Sequence, residues 1–309
     1  MEIKSTQDQT VYKCIHDDHS ETAIKDVGGC SGLSADASKK YSIFASCSYG
    51  CKLACKFCML HTKGCKYQML TPTAVETNIY SAVHHVAKLR PSITQKNVKL
   101  AWMGMGESSY EYDVLFRSGA ILQRILTNGY ASGIDCIDIG TAFPSQRDIL
   151  VYYAMWTYLH EELEKRQLSG RDPLVRFFIS WGSANSSVRN FLMGSGTVTQ
   201  RIDKLRQYIT TPGSLICHLV LLNEVNDSPE EIDAILRYFS NRPDLELRLL
   251  RYNQCSGSPF EESSRFDEIA ASFLKRLPRV KVQTSPGSEI MAACGQFLLG
   301  SFASGSCHV

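Results

Sequence analysis

The chain has 309 residues, 44% of them hydrophobic, and a formal net charge of only +2. That length suits one large α/β domain or two modest ones, and the composition is that of a globular protein. No apolar stretch approaches a membrane span, and the N-terminal MEIKSTQDQT is polar from the start. Twelve cysteines with no visible leader are therefore expected in a reducing cytoplasm, where thiols serve metals or chemistry.

In chain order, residues 10–25 read as a small hairpin, with Val11, Tyr12 and Ile15 apolar and Asp17-Asp18 near the turn. Residues 28–40 are rich in Gly, Ser and Asp and read as a loop. Apolar runs then recur at 43–45, 98–102, 134–139, 175–180, 215–222, 245–250 and 280–282. Helical patterns lie between them. Thr71-Pro72 caps and opens one running to about Leu89, and residues 114–126 have helical spacing. Another pattern covers about 148–168. Ser228-Pro229-Glu230-Glu231 is a capping-box start followed by Ile232, Ile235, Leu236 and Phe239 on one face. Ser264 begins a last helix that Pro278 ends.

Strands alternating with helices predict an α/β fold with a parallel sheet, and six or seven such units suggest a full or partial βα-barrel. Residues 1–40 would form an N-terminal hairpin-and-loop extension, 41–296 the barrel and 297–309 a tail. In such barrels the working residues sit on loops at the C-terminal ends of strands. The polar and glycine-rich segments fall there: Gly104-Met105-Gly106-Glu107, Thr141, Ser180 with Trp181-Gly182-Ser183, and Tyr252-Asn253.

The densest of these segments comes after the run at 43–45. Cys51, Cys55 and Cys58 form the pattern Cys-x3-Cys-x2-Cys. Three thiolates in one short loop can hold three irons of a cubic 4Fe–4S cluster and leave the fourth iron open. Structural zinc would want four closed ligands in cysteine pairs, and no second pair occurs at a suitable distance. Cysteines acting only as small hydrophobes would not sit among Ser48, Gly50, Lys52 and Lys56. Taken alone, the Gly104–Glu107 segment is an ordinary strand-exit turn. Beside the cysteine loop, it suits a cofactor with an amino-acid end, Glu107 pairing with the ammonium.

In this setting the three-cysteine loop resembles that of the radical SAM superfamily, which uses a 4Fe–4S cluster to cleave S-adenosylmethionine. Met103-Gly104-Met105-Gly106-Glu107, Val225-Asn226-Asp227-Ser228-Pro229 and Ala292-Ala293-Cys294-Gly295-Gln296 resemble three separate motifs of the RlmN/Cfr family. The similarity runs from about Thr10 to Gln296. The resemblance implies a partial (β/α)6 TIM-like barrel of the radical SAM type and methylation of an adenine carbon through a cysteine-borne methyl group. It assigns Cys51, Cys55 and Cys58 to the cluster, and Gly104, Gly106, Glu107, Thr141, Ser180 and Asn253 to S-adenosylmethionine. Cys294 becomes the methyl carrier, and an electron donor such as flavodoxin or ferredoxin the partner.

The departures are as informative. The family places a resolving cysteine seven residues before the first cluster cysteine, where this chain has Phe44. Cys47 is the nearest substitute, but a three-residue shift along a strand turns it to the other face. Ser108-Ser109 stand where the family prefers proline and leucine, and Ser180–Ser183 contains no histidine. The chain is expected to do without the family's N-terminal helical RNA-binding domain, and it shows no basic excess for gripping folded RNA. The expected function is radical chemistry of RlmN/Cfr type through Cys294 on a nucleoside, nucleotide or other small heterocycle, away from membranes. The alternatives are standard RNA adenosine C-methylation, and a sulfur-insertion or hydrogen-abstraction outcome.

Overall fold

A computed structural model describes residues 1–26, 39–254, 257–283, 286–292 and 296. The chain begins with β1 (Glu2–Ser5), β2 (Val11–Ile15) and β3 (Glu21–Lys25), then β4 (Lys40–Ala45). Next come β5 (Ser48–Tyr49), α1 (Met59–Thr62), β6 (Gln68–Met69), α2 (Pro72–Leu89) and β7 (Asn97–Trp102). They are followed by α3 (Tyr112–Leu115), α4 (Ser118–Thr127), β8 (Gly133–Thr141), α5 (Asp148–Lys165) and β9 (Val175–Ser180). The rest comprises α6 (Ser186–Met193), α7 (Thr199–Leu205), β10 (Leu215–Val220), α8 (Pro229–Ser240), β11 (Glu246–Leu250), α9 (Phe266–Arg276) and β12 (Val280–Gln283).

Ten strands form one sheet in the order β1-β2-β3-β4-β7-β8-β9-β10-β11-β12, while β5 and β6 pair separately. From β4 to β12 every pairing is parallel, and each strand reaches the next through helix, which gives six crossovers. This is the expected partial βα-barrel with an additional closing strand. The order starts at β1 and stops at β12, so the barrel stays open. The N-terminal extension is a three-stranded antiparallel meander that continues the same sheet through β3 and β4, because β1 adds to the expected hairpin.

Local chemistry explains where elements start. Thr71 accepts a hydrogen bond from the Ala74 amide and Pro72 opens α2, and Ser228 caps α8 in the same way through the Glu231 amide. The pattern at 114–126 is two helices, not one. Ser118 Oγ donates to the Leu115 carbonyl at 2.6 Å and accepts from Trp102 Nε1 at 2.9 Å, which diverts the backbone between α3 and α4. α6 and α7 have no counterpart in the sequence reading because each is short. Among the described residues no helix is long and apolar enough to cross a membrane.

Each barrel strand has two unlike faces. On β9, Val175, Phe177 and Ile179 are fully buried against the helices, while Arg176, Phe178 and Ser180 face the barrel interior. β4, β7, β8, β10 and β11 repeat the scheme, so the main apolar core lies between sheet and helices. Burying each outward Ile, Leu or Phe contributes about 1.5–3 kcal/mol. The inward face is charged, as at Asp138 on β8. Arg176 donates to its carboxylate at 2.7 and 2.8 Å, and Lys99 lies 3.3 Å away.

Burial alone would raise the Asp138 carboxyl. Arg176 and then Lys99 outweigh that and hold it well below its ordinary 3.8. The folded protein therefore keeps Asp138 ionised more firmly than the unfolded chain. That stabilisation is complete above the ordinary value and is lost as pH falls through and below it. Asp138→Asn is expected to lower the melting temperature at neutral pH and to flatten its decline on acidification from about pH 4 to about pH 2. Melting curves against pH check this. An acid limb as steep as the parent's would show that Asp138 contributes nothing to it.

Candidate active site

The three-cysteine loop leaves the C-terminal end of β4 and is held on all sides. Gly50 has φ +66°, and a Cβ there would lie 2.6 Å from the Lys66 carbonyl oxygen, so only glycine lets the β5–β6 clasp close around the loop. The Lys52 ammonium stands 3.5 Å from Glu111 and 4.5 Å over the Tyr67 ring, and Tyr67 donates to Glu111 at 2.8 Å. On the other side the Lys56 amide donates to the Leu192 carbonyl at 2.9 Å, and its ammonium sits 3.7 Å over Phe191 of α6. Tyr252, beyond β11, donates to the Phe57 carbonyl at 3.3 Å.

Within this frame Cys51, Cys55 and Cys58 are reduced cysteines outside any disulfide and are partly exposed. Cys51 Sγ accepts from the Leu53 amide at 3.4 Å, and the Cys58 amide donates to the Cys55 carbonyl at 3.0 Å. Burial pushes the Cys51 thiol up to about 12, and it pushes Cys55 well above its ordinary value with Cys58 and Cys51 adding to the effect. Thiols in such a place ionise when bound metal supplies positive charge. Among the described residues no three His, Cys, Asp or Glu side chains gather for a single metal ion. Three thiols from one short loop are a donor set that fits three irons of a 4Fe–4S cube.

The glycine turn after β7 lies flat against this loop. The Gly104 amide donates to the Ala45 carbonyl at 3.0 Å, the Met105 amide to Ser46 Oγ at 3.0 Å, and the Cys47 amide to the Met105 carbonyl at 2.9 Å. A Cβ on Gly104 would meet Ser46 Oγ at 2.6 Å. One on Gly106, whose φ is +106°, would meet Cys47 Sγ and Ser48 Oγ at 2.5 Å. Both glycines are thus demanded by the chain's own packing. They bring Glu107 to the cysteine loop. Glu107 is buried, and its Oε1 accepts from Thr141 Oγ1 at 2.6 Å, Tyr152 OH at 2.8 Å, and the Ser109 amide and hydroxyl at 3.3 Å. Oε2 accepts from the Ala142 amide at 2.8 Å and keeps acceptor capacity. Burial raises the Glu107 carboxyl, and these hydrogen bonds work against it.

Cys47 is buried on the helix-facing side of the sheet just beyond β4, with Sγ donating to the Met105 carbonyl at 3.4 Å, and burial raises its thiol well above the ordinary value. Phe44 faces the opposite way, into a cluster that includes Cys51, Cys58, Cys65, Met105 and Ala292. Ser180 ends β9 and offers its carbonyl to Arg189 at 3.1 Å, and Asn253 is partly buried beyond β11. Cys294 lies outside the described residues, as do Cys30, Cys255 and Cys307. Ala292 is fully buried in the Phe44 cluster, and Gln296 donates to the Gln254 carbonyl at 3.5 Å. His61 is exposed, and His84 and His85 bond Tyr130 and Ser81 on α2's own surroundings, away from the loop.

The sequence reading missed Arg189. This α6 residue is fully buried and makes no ion pair among the described residues. Its Nε donates to the Trp181 carbonyl at 2.8 Å, and its two terminal nitrogens reach the carbonyls of Ala142, Ser180, Ser195 and Gly196 and the Ser195 hydroxyl. One guanidinium thereby ties the exits of β8 and β9 to the helix on which the cysteine loop leans. Its signal was an arginine on the same helical face as the buried Leu192 and Met193. Asn226 and Glu231 both tie backbone segments together, the second in place of the expected capping box. Asn226 binds Gly182, Val220 and Leu222 backbone, and Glu231 does not complete its capping box but accepts from the Ala184 and Asn185 amides.

No protein-family model matches the chain. Its fold is that of a radical SAM methyltransferase: it superposes on one from Sphaerobacter thermophilus with a TM-score of 0.70 at 22% identity, over 96% of this chain and 80% of that one. In sequence the chain resembles the RlmN methyltransferases. It is 27% identical over 262 residues to the dual-specificity RNA methyltransferase RlmN of Syntrophus aciditrophicus (strain SB), covering 81% of this chain and 66% of that protein. It is 26% identical over 261 residues to the ribosomal RNA large subunit methyltransferase N of Nitrosopumilus maritimus (strain SCM1), covering 82% and 67%. The chain spans about two thirds of the length of these curated relatives.

Arg189 supports a direct test. Arg189→Met leaves buried carbonyls without donors, and Arg189→Lys supplies charge without the planar fork. Both variants are expected to lose about 3 kcal/mol or more in urea denaturation, with faster amide exchange over 180–196. Parental stability in the lysine variant would show that charge alone suffices.

Proposed function

We propose that this chain is a radical SAM enzyme of the RlmN kind, acting through Cys294 on a nucleoside, nucleotide or other small heterocycle. The observation that carries the reading is the contact between two strand exits, which sets Glu107 and the Cys51–Cys55–Cys58 loop side by side. In this reading the three cysteines hold a 4Fe–4S cluster whose fourth iron takes S-adenosylmethionine. When bound and reduced, the cluster supplies the electron that cleaves the sulfonium to methionine and a 5′-deoxyadenosyl radical.

The chain's own residues provide the rest. Glu107 Oε2 accepts from the ammonium of S-adenosylmethionine, while Thr141 and Tyr152 hold the other oxygen and so fix the carboxylate's orientation. Ser180 and Asn253 contact the cofactor from the ends of β9 and β11. Cys294 carries the methyl group. The chain on both sides of it is anchored near the site, at Ala292 beside the cluster loop and at Gln296 beside Gln254. A flavodoxin- or ferredoxin-like donor provides electrons. The relatives' names concern RNA, whereas a net charge of +2 offers little to a phosphate-rich partner.

Phe44 favours a second reading, a hydrogen-abstraction or sulfur-insertion outcome. Its ring lies where the RlmN pattern has a thiol, and phenyl cannot exchange a proton or attack an adduct. Anaerobic reconstitution with iron and sulfide, then dithionite and S-adenosylmethionine, separates the readings. Iron binding and 5′-deoxyadenosine are expected, and both should be lost in Cys51→Ala, Cys55→Ala and Cys58→Ala. Mass spectrometry should find a methyl group on Cys294. Deoxyadenosine without that methyl group selects the second reading, and absence of deoxyadenosine sinks both.

A further inference from the structure

The inward face of the sheet carries charged side chains interleaved with the rings of Phe44, Phe178 and His218. The ammonium groups of Lys25 on β3 and Lys99 on β7 stand 4.7 and 5.3 Å from the centre of the Phe44 ring on β4. Lys99 also meets Asp138 on β8, which holds Arg176 of β9. Phe178, two positions along β9, has Arg176 at 5.2 Å, Arg248 of β11 at 4.8 Å and the His218 ring of β10 at 4.8 Å. Arg248 bonds one oxygen of Glu246, and Lys281 of β12 lies 3.0 Å from the other. Among the described residues three largely buried cations (Lys99, Arg176 and Arg248) share two carboxylates with Lys281, which is 63% exposed on the edge strand, so the surplus away from solvent is one cation. The neighbouring Lys13–Glu21 pair, at 2.6 Å, cancels itself.

The series meets solvent. The side chains of Lys99 and Arg248 are 17% and 15% exposed, and Phe44 and His218 are half-buried. Outward neighbours on the same strands, Ile43, Leu100, Cys217 and Leu247, are at 0%. A filled barrel interior would not show this difference. His218 Nε2 is buried and has no hydrogen-bond partner among the described residues. A partly desolvated surplus cation is costly unless negative charge comes to it.

We propose that this inner wall binds the substrate and that the substrate is a small organic oxyanion, phosphorylated or carboxylated. The Lys99 ammonium and the guanidinium N–H groups that Asp138 and Glu246 leave over donate to either group, and His218 Nε2 adds a contact. Lining the concave side of the barrel, the wall admits a small molecule more readily than a folded RNA, whose phosphates lie along a helix. The inference deepens the reading above and rests on it for the chemistry, but not for the binding.

Calorimetric titration of both cluster-free and reconstituted protein tests it, with adenosine 5′-monophosphate and citrate as probes and adenosine as the neutral control. At least one anion is expected to bind, with adenosine weaker by at least about tenfold, one charge-assisted hydrogen bond's worth. Preference between the anions tells phosphate from carboxylate. Lys99→Gln and Arg248→Gln should each weaken binding by on the order of tenfold, and Lys99→Arg should retain it; the two strands involved guard against one variant failing to fold. Equal binding of adenosine, no binding of either anion, or unchanged affinity in both glutamine variants overturns the proposal. So does an RNA hairpin that binds more tightly than the nucleotide and loses affinity in the same variants. Deoxyadenosine formation by the same reconstituted protein reports on the cluster separately.

Discussion

A buried carboxylate and a buried guanidinium meet on a single residue. The Ala142 amide donates to Glu107, and the Ala142 carbonyl accepts from Arg189. Neither charge has a directly opposed partner among the described residues, so each is held by backbone dipoles and hydroxyls, which suffice for buried charge only when fully arranged. That requirement fixes geometry. Glu107 must keep the exit of β7 beside that of β8, and Arg189 must keep α6 under both β8 and β9. The cysteine loop leans on α6 through Lys56 and on the β7 exit through Ser46 and Cys47. Its position therefore follows from the Glu107–Ala142–Arg189 link, although no cysteine takes part in it.

The same logic organises the sheet at larger scale. Outward residues such as Ile43, Leu100 and Phe177 supply apolar burial against the helices, and that burial stabilises the strands whatever faces inward. The interior is thereby released from having to be a core. Charges can occupy it because they are paired around Asp138 and Glu246 and because the barrel is open. A closed and filled interior would not tolerate Lys99 or Arg248. Stability on one face thus permits charge on the other.

What could be read from the sequence tracks how local the determining physics is. Cys51, Cys55 and Cys58 lie within eight residues, so their shared loop could be read from spacing alone. Thr71 and Ser228 were legible because a cap acts over three residues. Glu107 was legible through its neighbouring glycines, although the reason for those glycines lies across the chain at Ser46–Ser48. Arg189 and Glu231 were opaque: Arg189 sits on a short helix that left no periodic signal, Glu231 reads as half of a capping box, and both bind backbone of other elements or turns. The charged interior left a trace, since Val-Arg-Phe-Phe-Ile-Ser alternates where a doubly buried parallel strand would be uniformly apolar. Reading it required knowing that one face had already been satisfied by the helices.

Phe44 joins the charged wall to the cluster loop. It occupies the inward face of β4 at the position where the RlmN pattern carries a thiol, and the ammonium groups of Lys25 and Lys99 lie near its ring. A thiol there could exchange a proton or attack an adduct. A phenyl ring can do neither, but it can stabilise cations through its quadrupole and so keep two ammonium groups at a partly exposed wall. The substitution removes a reactive group and gains a place to hold positive charge. This point of the barrel thereby holds positive charge in place of a nucleophile, while Cys51 and Cys58 of the three-cysteine loop pack in the same ring's cluster of neighbours.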